Sequence, residues 1–578
     1  MPYFVQNYQL MIKKILFVGL CALLFATNLL AQKKPDFVSF INQQHAWVDS
    51  VFQTLSPKEK IGQLFLVRAH TNLGQKYIDS VKQIIANEQL GGLVVFQGGP
   101  VRHANMFNQY QQVSKVPLLI TFDGEWGLGM RLADSTVSFP YQMTLGAIQN
   151  NSLIYDMGRQ VARDFLRIGM HFNFAPVVDI NNNPKNPVIN FRSFGDNKEN
   201  VTIKAKAYMD GMVDGGILAS LKHFPGHGDT DVDSHYDLPL LTFDKKRLES
   251  LEIFPFRELI KAGAPSVMVA HMNIPSLDDT PNIPSSISKK VVTDLLRNEL
   301  GFRGLTVTDA MDMKGVKKFF PNGEADVMAI EAGHDLLEIS ENSERAIALI
   351  EKSIAAGRLS QADIDHRVKR VLASKLWLGL NKGTHVNSNY LYEDLNTASE
   401  QSLVQRLADA SVTLLNADRV LKRFDTKKET AVVSVGIAQA QDFEIGLSNQ
   451  LTNGKNFFIK GDESEEQLNI LLKEVKDFKQ IVLAIHDNRS RPRSELTFNE
   501  ATKAFVHELA GKRTLTVMFT NPYALNAVDV HRSGSLIMCY QNESFMQKAA
   551  LKVLLKQLKA TGKLPVTISK RYEFSDGK

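Results

Sequence analysis

Cysteine is nearly missing: Cys21 and Cys539 are the only two in 578 residues, too few for an internal disulfide framework. Cys539, between Met538 and Tyr540, reads as a core residue rather than a nucleophile. Charge of one sign is also scarce. Lys plus Arg number 67 against 62 Asp plus Glu, a net of +5, and no basic run stands out. Nucleic-acid binding concentrates positive charge on one face or tail, so no such partner is expected. No apolar run reaches the ~20 residues that span a bilayer comfortably, and no short-period repeat is visible. What is present is an ordinary globular balance, 44% hydrophobic and 22% charged. That excludes a chain that is disordered, collagenous or coiled-coil throughout, and the length suggests roughly two to four domains.

The N-terminus carries Lys13 and Lys14, then an apolar run over residues 15–30, then Ala31-Gln32. These are the parts of a secretory signal peptide, read here over residues 1–31, with Met11 as an alternative start. An uncleaved anchor is the competing reading, because Leu29 is large for a position just before a cleavage point. Val18-Gly19-Leu20 before Cys21 lacks the small residue that lipidation wants. The mature protein is expected to be periplasmic or secreted, with no membrane segment.

Beyond the signal, β-branched and apolar runs at residues 64–68, 92–96, 118–122, 172–179, 219–224, 266–272, 305–308 and 334–338 read as strands. Segments of helical period, among them 77–87, 152–168, 201–215, 246–262 and 289–300, lie between them. This alternation predicts a (β/α)8 TIM-type barrel over residues 32–380, with a doubly wound open sheet as the competing arrangement. A polar stretch at 381–396 reads as a linker, taken as 381–400. Strands at 431–436, 456–459, 481–486, 515–520 and 535–540, with helices between, then predict a smaller α/β sandwich domain over 401–578.

In a parallel barrel chemistry collects where strands end. Here the strand ends carry Asp123 and Glu125, Asp179, Lys222 and His223, His271, and Asp309. The densest cluster runs from Lys222-His223-Phe224-Pro225-Gly226-His227-Gly228 to Asp233-Ser234-His235. One reading is a metal site on His223 and His227, but Pro225, Gly226 and Gly228 oppose the helix that such spacing needs. A second is a set of loop histidines satisfied by neighbouring carbonyls. A third is an acid–base dyad, in which Asp233 holds one ring nitrogen of His235 and raises the basicity of the other.

The Lys222–His235 loop resembles the signature loop of glycoside hydrolase family 3, in its NagZ-like bacterial β-N-acetylglucosaminidase branch. Glu59-Lys60-Ile61-Gly62-Gln63-Leu64, Phe174-Ala175-Pro176-Val177-Val178-Asp179, Asn186-Pro187-Val188-Ile189, Arg192-Ser193-Phe194-Gly195 and Leu305-Thr306-Val307-Thr308-Asp309-Ala310-Met311 agree with it. The resemblance covers residues 55–380 well. It covers 410–567 more loosely, through Ser411-Val412-Thr413-Leu414-Leu415-Asn416, Asn521-Pro522-Tyr523 and Gly562-Lys563-Leu564-Pro565-Val566.

The resemblance implies a retaining exo-acting β-N-acetylglucosaminidase without metal or cofactor, acting on peptidoglycan fragments or related glycans. Asp309 matches the nucleophile and His235 the acid/base, with Asp233 as its partner. Asp123, Arg131, Arg192, Lys222 and His223 match the residues that hold the terminal sugar. A neutral histidine adds no second anion beside Asp309, and its pKa of about 6.5 suits proton transfer near neutrality. Trp126 and Leu128 depart from the usual Gly and basic residue after Asp123, and Trp126 is either a stacking platform or a packing residue. In the β-glucosidase branch a second-domain glutamate supplies the acid/base, and Glu495 and Glu500 are the candidates for that role. A β-glucosidase, a phosphorylase and an inactive glycan-binding protein are the alternative functions.

Overall fold

The computed structural model describes residues 34–234 and 236–578. The segment read as a secretory signal lies outside the described residues, and so does His235. Eight short parallel strands form the first sheet: β1 Phe65–Ala69, β2 Gly92–Val95, β3 Leu119–Phe122, β4 Phe172–Asn173, β5 Leu218–Phe224, β6 Ser266–Val269, β7 Leu305–Thr308 and β8 Leu337–Glu338. They lie side by side in the order β7-β6-β5-β4-β3-β2-β1-β8. A parallel bridge between Val307 and Leu336 brings β7 to β8, supported by Leu336 N–H donating to Thr306 O at 3.0 Å. The sheet therefore closes, as the barrel reading predicts and an open sheet does not. Parallel strands covered on both faces need continuous apolar runs; β2, β3, β6 and β7 are buried at every position.

The helices after β3 and β4, Ser152–Ile168 and Lys198–Asp214, pack with their backbones nearly touching. A Cβ on Gly158 would stand 2.5 Å from Tyr208 O, and one on Gly211 would stand 2.2 Å from Tyr155 O. That close approach brings the Tyr208 hydroxyl to the carbonyl of Gly124 at 3.1 Å, under the barrel mouth.

The second sheet comprises β9 Thr413–Leu415, β10 Thr430–Val435, β11 Gly454–Ile459, β12 Gln480–His486, β13 Thr514–Phe519 and β14 Ser535–Met538. Its order is β11-β10-β12-β13-β14-β9, parallel except for β9, which pairs antiparallel with β14. Successive side chains point to opposite faces. Ala431, Val433 and Val435 thus join one core with Leu468 and Phe505, while Val432 joins another with Phe443 and Met546. The first of these cores also contains Met143, Ala147 and Phe191 from the barrel. Apolar packing is therefore continuous across the seam.

Three sequence expectations are adjusted. The strand expected over 172–179 pairs regularly only at Phe172–Asn173, because Pro176 has no N–H to give a ladder. The helix expected over 246–262 is two helices, Lys245–Ser250 and Phe254–Lys261, with Pro255 in the first turn of the second. The polar stretch after the barrel is pinned rather than loose: Val386, Leu391 and Leu395 are buried. Arg167 also donates to Asp394 (2.7 Å) and to the carbonyls of Asn387 (2.7 Å) and Asn389 (2.6 Å).

Candidate active site

Asp123 and Glu125 leave β3 on either side of a glycine that admits no side chain. A Cβ on Gly124 would lie 2.7 Å from the Phe165 ring, while Asn173 bonds both its N–H (2.9 Å) and its carbonyl (3.0 Å). So held, the two carboxylates meet three cations. Lys222, 2% exposed, reaches Asp123 Oδ1 at 2.9 Å and Glu125 Oε1 at 2.8 Å. Arg131 donates to Asp123 Oδ2 at 2.8 Å. Arg192 grips Glu125 with two bonds, Nε to Oε2 at 2.9 Å and Nη2 to Oε1 at 2.6 Å. Burial pushes both carboxyls up. The adjacent Lys222, Arg131 and Arg192 outweigh it, leaving Asp123 well below the usual range and Glu125 at about 2. Both are anions at any working pH.

His223 is fixed from behind. The fully buried Asp179 meets its Nδ1 at 2.7 Å and also accepts the backbone N–H of His227 at 2.7 Å. Burial would raise Asp179, but His223 and His227 hold it below its ordinary value. An anionic Asp179 places the ring proton on Nδ1, and Nε2 faces Arg192 Nη2 at 3.4 Å. Asp123, Arg131, Arg192, Lys222 and His223 therefore form one cluster at the C-terminal rim of the barrel.

Asp309 follows β7 on the same rim. Its Oδ1 accepts the N–H of Ala310 at 2.8 Å, and its own N–H donates to Val269 O at 3.0 Å. His271 props this turn, bonding Ala310 O at 3.0 Å and Ser286 Oγ at 2.6 Å. His227 is buried and bonds Thr230 through Nδ1 at 2.7 Å; burial pushes it down to about 4, so it is neutral. The metal reading of His223 and His227 finds both rings already engaged by protein partners. The loop bearing Asp233 lies against the segment after Asp309: Gly315 N–H donates to Ser234 O at 3.3 Å, and Lys318 pairs with Asp237 at 3.0 Å. Val232 and Tyr236 are exposed there.

Glu125 and Asp179 were read from the sequence only as strand-end groups without a role, and Glu338 was not singled out. The first has a signal in retrospect. The buried Lys222 and two half-buried arginines beside one carboxylate would be costly, so a second anion was required. Of the second-domain candidates, Glu500 sits 88% exposed on a helix and pairs with Lys503 at 2.7 Å. Glu495 is exposed on the loop after β12. That loop touches the barrel through Tyr141 Oη to Ser490 O (3.2 Å) and Asn190 Nδ2 to Ser494 Oγ (3.1 Å). Trp126 is half-buried, edge-on to Tyr141 at 4.9 Å and near Phe191 at 6.1 Å, so it packs the seam between barrel and sheet domain.

A closed parallel barrel with a mouth of locked carboxylates, cations and imidazole, and an aspartate at the end of the seventh strand, is suited to binding a polyhydroxyl ligand and cleaving it. Residues 56–374 match the glycosyl hydrolase family 3 N terminal domain. The chain belongs to that family and is a glycoside hydrolase. It is similar to β-hexosaminidase A of Pseudoalteromonas piscicida, 30% identical over 428 residues, covering 66% of this chain and 71% of that protein. It is also similar to a β-N-acetylglucosaminidase/β-glucosidase of Cellulomonas fimi, 26% identical over 90% of this chain and 95% of that one. Among solved structures, a family 3 β-N-acetylglucosaminidase from Paenibacillus sp. str. FPU-7 superposes with a TM-score of 0.74 at 30% identity, covering 89% of this chain and 99% of the other. The fold is shared at 24% identity and a TM-score of 0.77 with the β-glucoside phosphorylase BglX, over 93% of this chain and 98% of that one.

Proposed function

We propose that the protein is an exported, retaining exo-β-N-acetylglucosaminidase that removes terminal β-linked GlcNAc from peptidoglycan fragments or related glycans. One observation carries the reading. Asp309 follows β7 on the same barrel rim as the cluster of Asp123, Glu125, Lys222, Arg131, Arg192 and His223, and the Asp233 loop docks on the segment after it through Gly315 N–H to Ser234 O. In this account the cluster grips the terminal sugar, with Asp123 accepting hydroxyl protons while Lys222 and Arg192 donate. An Asp309 oxygen forms a bond to the anomeric carbon as the glycosidic C–O bond breaks. His235, held by Asp233, gives its proton to the departing oxygen. Water then attacks the glycosyl–Asp309 ester, His235 takes the water proton, and the sugar leaves with its β configuration retained. The glycines and exposed residues of the Asp233 loop suit it to closing over bound sugar.

Trapping tests this mechanism directly. Intact-protein mass spectrometry after incubation with an activated 2-deoxy-2-fluoro glycoside should show one sugar added to the wild type and none to Asp309→Ala. Equal labelling of both would remove Asp309 from the role. Export predicts that the protein recovered from the periplasm or medium begins just after Ala31; recovery of the full-length chain from the cytoplasm would contradict it. Phosphorolysis is the second reading. A histidine acid/base repels phosphate less than a carboxylate would.

A further inference from the structure

Glu338 ends β8, and the Val307–Leu336 bridge between β7 and β8 sets it level with Asp309 two residues on. Neighbouring strands run about 4.8 Å apart, so the two carboxyl residues stand side by side at the barrel mouth. The backbone of Glu338 is fully used: its N–H donates to Thr308 Oγ1 at 3.0 Å and its carbonyl accepts from Met311 at 2.8 Å. Its side chain is different. The residue is 3% exposed, and the buried Oε2 has no hydrogen-bond partner. Asp123, Glu125 and Asp179 around the same mouth are each held by a cation, an imidazole or backbone N–H groups.

A buried oxygen without a partner weakens the fold, and a leucine at this position would avoid that cost. The charged groups around it are Asp123 after β3, Lys222 on β5, and Asp309 and Asp312 after β7. Burial foremost, then Asp123 and Asp309, push its carboxyl well above the ordinary range, with Lys222 opposing. At the mouth this favours the protonated carboxyl, the form able both to donate and to accept.

We propose that Glu338 is a further sugar-binding residue of this site, its carboxyl group completing its hydrogen bonds on a hydroxyl of the bound terminal sugar. This rests on the sugar-cleaving reading of Asp309, but it is tested separately. The experiment compares wild type, Glu338→Gln and Glu338→Leu against a series of monodeoxy β-glycosides. One deoxygenation should cost the wild type about 10-fold in kcat/KM, and the same deoxygenation should cost Glu338→Leu nothing further. Glu338→Gln, which keeps a donor and an acceptor, should stay within about 3-fold of wild type. Glu338→Leu should melt at a higher temperature than the wild type, which a merely structural glutamate would not do. If every deoxy analogue costs wild type and Glu338→Leu the same factor, Glu338 does not touch the sugar and the proposal falls. If the wild type turns over no glycoside, the cleavage reading fails instead. Calorimetric binding of the corresponding free monosaccharides to wild type and Glu338→Leu then decides Glu338 by the same non-additivity.

Discussion

The two acidic groups flanking Gly124 and the aspartate after β7 predict opposite responses to neutralisation. Glu125 is buried with Arg192 and Lys222 as partners, and removing one member of a buried charge set typically costs about 3–5 kcal/mol. Glu125→Gln should therefore lower the denaturant midpoint and impair sugar binding together. Asp309→Asn keeps the size of the side chain and an oxygen to accept the N–H of Ala310. It should leave the denaturant midpoint near wild type while kcat falls by at least ~1,000-fold. A stability loss of similar size in both variants would mean that Asp309 belongs to the structural charge set. The pH dependence has a definite sign. Glu125 falls from an ordinary 4.5 to about 2 on folding, so its stabilisation is full above the ordinary value and is lost as the pH drops toward about 2. That contribution is on the order of 3 kcal/mol. Glu125→Gln should flatten the acid limb of a stability–pH curve over that window.

Between elements, a second carboxyl pair predicts the reverse slope. Asp164 on the helix Ser152–Ile168 faces Glu400 on the helix Ala398–Ser411. Burial raises both, and their mutual repulsion raises Asp164 further, so the folded pair retains a proton that the unfolded chain releases. Stability from this contact is complete below the ordinary carboxyl range and fades as the pH climbs toward about 7. Glu400→Gln should stabilise the protein at pH 8 and be nearly neutral at pH 4, as read by thermal melts at both; an equal effect at the two would contradict the shared proton. The long elements were legible because their patterns are long. The helix expected over 152–168 matches Ser152–Ile168 end to end, and every strand expected in the second domain is present. The edge strand Thr413–Leu415 was not read, since three residues carry no usable alternation. Glu338 closed an apolar run as an ordinary strand end; its isolation exists only once β7 meets β8.

Across the molecule, residues Phe37–Lys578 form one compact unit. The sheet domain supports the loops that aim Arg192 and Glu125. Gln541 accepts from Tyr141 N–H (2.9 Å) and Thr144 Oγ1 (2.7 Å), and Asn521 donates to Asn190 Oδ1 at 2.5 Å, two residues before Arg192. A chain ending after Asn396 would expose Met143, Ala147 and Phe191, which now share a core with the second sheet. It should aggregate or bind a hydrophobic dye and lose activity; a soluble, fully active barrel would show the seam to be dispensable. The family was legible from motifs spread along the barrel, and the residues that the resemblance implies for the terminal sugar, Asp123, Arg131, Arg192, Lys222 and His223, lie in one cluster. The interlocking of Glu125 and Asp179 was not, because it joins side chains far apart in the chain.

The central claim is that this mouth hydrolyses β-GlcNAc through Asp309. Its most direct test is hydrolysis of chromogenic β-GlcNAc and β-glucoside substrates side by side, with and without phosphate, by wild type and Asp309→Ala. The account predicts preferential β-GlcNAc turnover, unchanged by phosphate and abolished in Asp309→Ala. Preference for the glucoside, or phosphate-accelerated turnover releasing sugar 1-phosphate, would contradict it.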